Sequence, residues 1–411
     1  MRIAGNVLLV CVLLFVFTPA EAQIPALKDL YEQHRFPELR QQLKVGKGAS
    51  PLYVGAVASA WNNSKQAEKY LKRAIEKATN SEDAAEAHEQ LGYLYARSGR
   101  YRDVVRELDS ILRLNPGRSD VENIRVIYSA LAEHGNQTVE GYRRATIDAE
   151  VSSRGVVLPV LVRGREVHWL LDTDFNICAI SESEAKLLGV VPTQASAEAG
   201  DSETGTVKVR TAVINELLIG PVRLRNVAFM IVPDSQPPMN ELPPGHRGLI
   251  GFPVAWALQA IGWKRDGSFE IGFAPERHTP SQSNLFFDGL SAITRVGFRG
   301  KELDFILDTG NLAGTELWQR FADQFPRLVK RRGTVKKKIL TEIGGSVERE
   351  ATVLPDLQLQ VGGLETTLRP AAIFAKPVGD DFHHGLLGMD VLSQAQEVRI
   401  DFRSMTLQLL P

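Results

Sequence analysis

The spacing of apolar positions divides the chain into two kinds of sequence. From about residue 24 to 145, hydrophobic residues recur with helical period. Pro51 to Ala78 and Ala84 to Pro116 each split into two amphipathic stretches around a short polar turn. The two segments align at an offset of 37 residues, Gly55 with Gly92 and Ala67 with Val104. A repeat of that length predicts stacked helical hairpins. Gly55, Ala58, Gly92 and Ala96 are expected where paired helices approach closely, and Asn115-Pro116-Gly117 ends the last helix. From about residue 146, Val, Ile and Leu alternate with polar residues in short runs punctuated by Gly and Pro, which predicts strands. The candidates are Val156–Val162, Arg210–Ile219 and Arg223–Val232, then Ser291–Phe298, Thr352–Val361 and Glu365–Phe374.

The β part is written twice. Val162 to Asp174 reads VRGREVHWLLDTD and Phe298 to Gly310 reads FRGKELDFILDTG, an ungapped alignment that places Asp172 opposite Asp308. Gly248-Leu249-Ile250-Gly251 recurs as Gly385-Leu386-Leu387-Gly388 at nearly the same offset. Two landmarks that keep their spacing argue for duplication. The fold class expected is therefore multidomain, α plus all-β: helical hairpin repeats over 23–145, then β lobes over 146–279 and 280–411.

Composition changes this picture little. The chain has 411 residues, 44% hydrophobic and 24% charged, with formal net charge -1. That length calls for more than one core, and the balance lacks the basic excess of a nucleic-acid binder. At the start, Met1-Arg2, the apolar run Val7 to Phe17 and the small residues Ala20 and Ala22 read as a signal peptide over 1–22. Export to a periplasm or to the exterior is the expected localisation, with no membrane attachment after cleavage. Cys11 leaves with that segment, so Cys178 has no partner for a disulfide and reads as a small buried apolar residue.

The tandem Asp-Thr loops and apolar-apolar-Gly landmarks resemble the retropepsin and pepsin family of aspartic proteases, over roughly residues 150 to 411. The LGYLYARSGRYRDVVRELDSILRLNP stretch resembles tetratricopeptide repeats in degenerate form. The first resemblance implies a two-lobed β fold in which Asp172 and Asp308 form the catalytic dyad. Thr173, Thr309 and Gly310 would lock the loops together, and hairpins over Gly200–Val209 and Ile343–Arg349 would act as flaps with Gly205, Gly344 and Gly345 at their tips. Two like charges that close share one proton; the ionised member activates a water and the other polarises the peptide carbonyl. Both lobes lie in one chain, so one molecule can complete the site.

The resemblance implies an aspartic endopeptidase acting on protein or peptide, with no cofactor and no metal, and with the helical repeats open to a protein partner. Lobe one departs from the pattern: Asp174 stands where the family has Gly, and Phe175 follows it. A non-catalytic peptide-binding or adaptor protein on a degenerate protease fold is the alternative. His383-His384 reads as a solvated loop, and Lys330 to Lys338 as a solvated connector between helix and hairpin.

Overall fold

The computed structural model describes residues 26–45, 49–141, 144–201, 205–274, 283–374 and 382–411. The signal peptide expected over 1–22 and the junction expected at 279/280 lie outside the described residues.

Helices α1 (Leu27–Glu32) and α2 (Phe36–Val45) precede the repeated hairpins, α3 (Pro51–Ala60) with α4 (Ser64–Lys77) and α5 (Ser81–Arg97) with α6 (Tyr101–Leu114). A last helix, α7 (Ser119–Ala132), packs on α6. Their starts are written in the sequence: the side chains of Ser50, Asn63 and Asn80 accept bonds from the amides of Leu52, Gln66 and Asp83, which would otherwise lack helical partners. Gly55 is where α3 meets α4, since a Cβ there would lie 2.7 Å from Leu71 Cγ. Gly92 is different. Nothing lies within 4 Å of a Cβ at that position, so its expected role in close helix approach is not found.

The helices end at Ala132, short of the expected boundary at 145. Thr138–Glu140 already runs antiparallel to Val222–Val232 in a nine-stranded sheet. That sheet belongs to the first β half, and a ten-stranded sheet belongs to the second. The halves repeat each other. In each, a hairpin (Gly155–Val162 with Arg165–Leu171; Ser291–Phe298 with Lys301–Leu307) leads into an Asp loop. A short strand then lies parallel to the second arm, Gly248–Ile250 in one half and Gly385–Leu387 in the other.

The first half carries two long strands, Gly205–Ile219 and Val222–Val232, where the second carries four. The runs expected at Thr352–Val361 and Glu365–Phe374 are broken into Gly345–Leu354, Leu357–Val361, Leu364–Leu368 and Ala371–Phe374. Pro355 and Pro370 stand at the two breaks, and proline has no N–H to give a ladder.

A third sheet of five strands closes the base. Ala260–Lys264 from the end of the first half pairs with Glu397–Asp401 from the end of the second, with Ala145–Asp148 at one edge and Thr406–Leu410 at the other. One apolar core runs continuously through both halves.

The helices are docked against the β part and do not hang from a linker. Trp61 stacks on Phe286 with centroids 5.5 Å apart, Asn62 Nδ2 donates to Phe402 O at 2.7 Å, and Tyr101 OH donates to Asn226 O at 3.1 Å. Arg97 is buried at this seam. It donates to Gly289 O and to Ser59 Oγ (2.6 Å), its guanidinium lies 4.6 Å from the Phe287 ring centre, and burial pushes its pKa down to about 9. No helix among the described residues is long and apolar enough to cross a membrane.

Candidate active site

Asp172 follows directly on Arg165–Leu171, and its amide donates to Ile250 O at 2.9 Å. Asp308 follows Lys301–Leu307, and its amide donates to Leu387 O at 3.0 Å. The apolar-apolar-Gly strands thus hold each loop from behind. Each carboxylate then folds its own loop. Asp172 Oδ1 accepts from the amides of Asp174 (3.1 Å) and Phe175 (2.9 Å), and Asp308 Oδ1 accepts from those of Gly310 (2.7 Å) and Asn311 (3.0 Å).

The two threonines tie the loops to each other. Thr173 Oγ1 donates to Leu307 O (2.6 Å) and accepts from Thr309 N (3.1 Å), while Thr309 Oγ1 donates to Leu171 O (2.7 Å) and accepts from Thr173 N (3.2 Å). Both threonines are fully buried. Gly310 lies against the opposite carboxylate: a Cβ there would sit 2.2 Å from Asp172 Cγ. Only glycine fits.

Asp174 keeps the loop geometry despite its side chain. Its amide bonds Asp172 as Gly310 bonds Asp308, its φ is not positive, and its carboxylate accepts from Ser291 Oγ at 2.9 Å. The sequence signal for this is Ser291, the first residue of the strand Ser291–Phe298, which no loop motif includes.

Asp172 and Asp308 line one cavity of about 460 Å³. Its walls include Phe175, Leu249, Leu312, Trp318 and Leu386, and its charged groups include Glu241, Glu316 and Arg349. A larger cavity of about 560 Å³ around Gly297 and Gln360 contains neither aspartate. Asp172 meets the cavity while protein surrounds it on the other sides. Burial pushes its pKa up to about 6, against the two amide bonds that favour its ionised form. Glu316 is also raised, again by burial first, against bonds from Trp318 and Asn311.

Two hairpins meet near the cavity, and the second of them lines it. Pro192–Asp201 with Gly205–Ile219 forms one, and Thr334–Glu342 with Gly345–Leu354 the other. Gly205 and Gly345 begin their second strands at φ +102 and +147, where L side chains are strained. The tips meet: a Cβ on Gly344 would fall 1.8 Å from Gly205 O. Leu340, Ile343 and Val347 of the second hairpin face the cavity. Lys336 to Lys338 belong to this hairpin's first strand, and Lys330 to Arg332 end the helix Pro326–Arg332, so the basic run is not a separate connector.

His383 and His384 are buried, not solvated. His384 Nδ1 accepts from Asp304 N at 3.1 Å, and its Nε2 therefore donates to Gln324 Oε1 at 2.7 Å. His383 Nε2 lies 3.3 Å from Asp288 Oδ2, whose carboxylate also takes His34 Nδ1 from the helical part at 2.7 Å. Burial raises the Asp288 pKa, but the bonds to His34 and His383 outweigh it and the net shift is downward. Sequence spacing gave no sign of this seam because its members come from three distant segments. Cys178 is buried and accepts from Gly251 N at 3.3 Å, and burial pushes its thiol up to about 12.

Residues 158–254 match the family model described as aspartyl protease. Among solved structures, the chain is similar to a retropepsin-like aspartic protease from Rickettsia conorii, with 14% identity, a TM-score of 0.23, and coverage of 33% of this chain and 94% of that one. It is also similar to the retroviral protease-like domain of Ddi1 from Leishmania major, with 13% identity, a TM-score of 0.19, and coverage of 29% and 92%. No curated protein matches the chain. The matched stretch contains Asp172 and ends just beyond Gly251, and it supports an aspartic protease family. The architecture is an N-terminal helical region followed by large β-sheet domains.

Proposed function

We propose that this chain is an exported aspartic endopeptidase, periplasmic or secreted, in which Asp172 and Asp308 share a proton and activate a water against a peptide carbonyl. One observation carries the reading: two Asp-Thr loops, locked by reciprocal threonine bonds, direct both carboxylates into one cavity that is also lined by the hairpin of Thr334–Glu342 and Gly345–Leu354. A raised Asp172 fits the protonated member of such a pair, which must donate to the carbonyl oxygen while its partner stays ionised. The apolar walls suit an extended peptide with hydrophobic side chains at the scissile bond. One chain supplies both aspartates, so a monomer suffices. The helical region is proposed to serve protein interaction, on surfaces other than those it buries against the β part.

The second reading, a peptide-binding adaptor without turnover, rests on Asp174 and Phe175 at the cavity wall. The test is cleavage of an unfolded protein across pH 3 to 8, the range a carboxylate pair commands, with Asp308→Asn as control. Cleavage lost in the variant supports the protease. Absence of cleavage at every pH, with saturable binding of a statine-type peptide, supports the adaptor.

A further inference from the structure

Outside the cavity, three potential metal ligands converge on the first half. Glu150 begins the strand Glu150–Ser152, His168 lies on Arg165–Leu171 four residues before Asp172, and His246 precedes Gly248–Ile250 by two. Each offers one ligand atom, and all three atoms lie within 4.8 Å of one another. The backbone builds the convergence. Glu150 pairs with Val157 and His168 with Pro159 across the intervening strand, and His168 N donates to Gly245 O at 2.8 Å, which sets the next residue beside it.

Their polar needs are poorly met as they stand. His168 Nδ1 is 3.5 Å from Glu150 Oε1 and its Nε2 is 3.7 Å from Glu166 Oε1, both long for hydrogen bonds. His246 Nδ1 is shielded from solvent and has no hydrogen-bond partner among the described residues. The imidazole rings face each other at 5.3 Å and 21°. Two imidazole nitrogens and a carboxylate oxygen that already lie within 4.8 Å of one another need only small side-chain rotations to take one cation between them.

We propose that Glu150, His168 and His246 form a binding site for a borderline divalent cation of the zinc or copper type, independent of the aspartate pair. Two nitrogens and one carboxylate oxygen suit such ions and not the all-oxygen preference of Mg²⁺ or Ca²⁺. The positions equivalent to His168 and His246 in the second half are Asp304 and His383, and there His383 lies beside Asp288, which also holds His34. The site therefore belongs to one half alone. Its cation would clip together the two parallel strands that carry Asp172 and its amide acceptor Ile250.

Titration of the untagged, metal-free chain with Zn²⁺ at pH 7.5, followed by calorimetry, tests this. One saturable site is expected, weakened at least about tenfold by Glu150→Gln and by His246→Gln, and unchanged by His134→Gln, which alters an exposed histidine of the helical region. Cu²⁺ bound to the chain should show nitrogen hyperfine structure in its electron paramagnetic resonance spectrum, reduced in His246→Gln. Glu150 is exposed, so its variant is not expected to disturb folding; circular dichroism checks each protein. Absence of a saturable site, or equal affinity in the Glu150 and His246 variants, overturns the proposal. Neither result depends on proteolysis, so it stands or falls apart from the protease reading.

Discussion

Thr173 and Thr309 each donate a hydroxyl proton to the strand end that carries the other's aspartate and accept the other's amide. Neither half can set its loop without the partner half. Replacing either threonine by valine keeps the volume but leaves a buried carbonyl and a buried amide unpaired. Each substitution should cost about 2–4 kcal/mol, from roughly 1–3 kcal/mol per orphaned group. The two substitutions break different bonds of one contiguous network, so the cost of the double variant should depart from the sum by about 0.5–3 kcal/mol. Urea unfolding measures both, and additive losses would refute the coupling.

The Asp172 carboxyl sets a pH dependence of stability. Its folded pKa is raised to about 6 from 3.8, so the native state holds the proton more tightly than the unfolded chain. The associated stability is fully present below about pH 4 and is lost as pH rises through about 6. The change is at most about 3 kcal/mol at 1.36 kcal/mol per pH unit, and less because the carboxylate meets the open cavity. Asp172→Asn should flatten this part of the curve and make the protein more stable than the parent at pH 7. A variant that keeps the parent's slope between pH 4 and 6 would show that Asp172 is not its source. Cleavage, if it needs the protonated carboxyl, should also decline above pH 6.

Two glycines of the helical repeat should respond in opposite senses. Gly92→Ala adds a methyl where nothing lies within 4 Å and removes backbone freedom from the unfolded chain, for a gain of about 0.5–1 kcal/mol. Gly55→Ala drives its methyl to 2.7 Å from Leu71 Cγ and should destabilise by about 1–3 kcal/mol. Thermal melts of the two variants should move apart. Movement in the same direction would contradict the packing described.

The hairpin tips offer a kinetic test. Gly344→Ala would place its methyl 1.8 Å from Gly205 O, forcing the tips apart without touching the core. Stability should change little, while kcat/KM should fall by up to about 100-fold as the tips lose their contact. An unchanged rate would mean that tip contact plays no part in turnover.

The sequence carries the site more openly than the framework around it. The Asp-Thr loops and the Gly-Leu-Ile-Gly and Gly-Leu-Leu-Gly strands are legible because their geometry tolerates few residues: a Cβ at Gly310 meets a carboxylate, and one at Gly385 meets Glu316 O at 2.0 Å. The helical caps are legible for a similar local reason. The basal sheet is not, because Ala145–Asp148, Ala260–Lys264 and Glu397–Asp401 find each other across hundreds of residues and carry no shared motif. Pro355 and Pro370 mark the breaks of the second half, whereas the matching strands of the first half run unbroken. His383 and His384 read as polar loop residues until Asp288, Gln324 and His34 arrive from elsewhere.

The two hairpins do not share their surroundings. α7 packs along Pro192–Asp201, and its Ile127 joins Ala199 and Val207 in one apolar cluster. The other hairpin turns Val335 and Ile339 outward, 63% and 67% exposed. The first hairpin thus has a helix of the N-terminal region along it, while the second packs Leu340 and Ile343 inward and shows its other face to solvent. On the proposed protease reading, the second hairpin is the one expected to lift when a polypeptide enters. A helix from outside the β part thus gives the repeated Asp-Thr framework a polarity that the repeat itself does not carry.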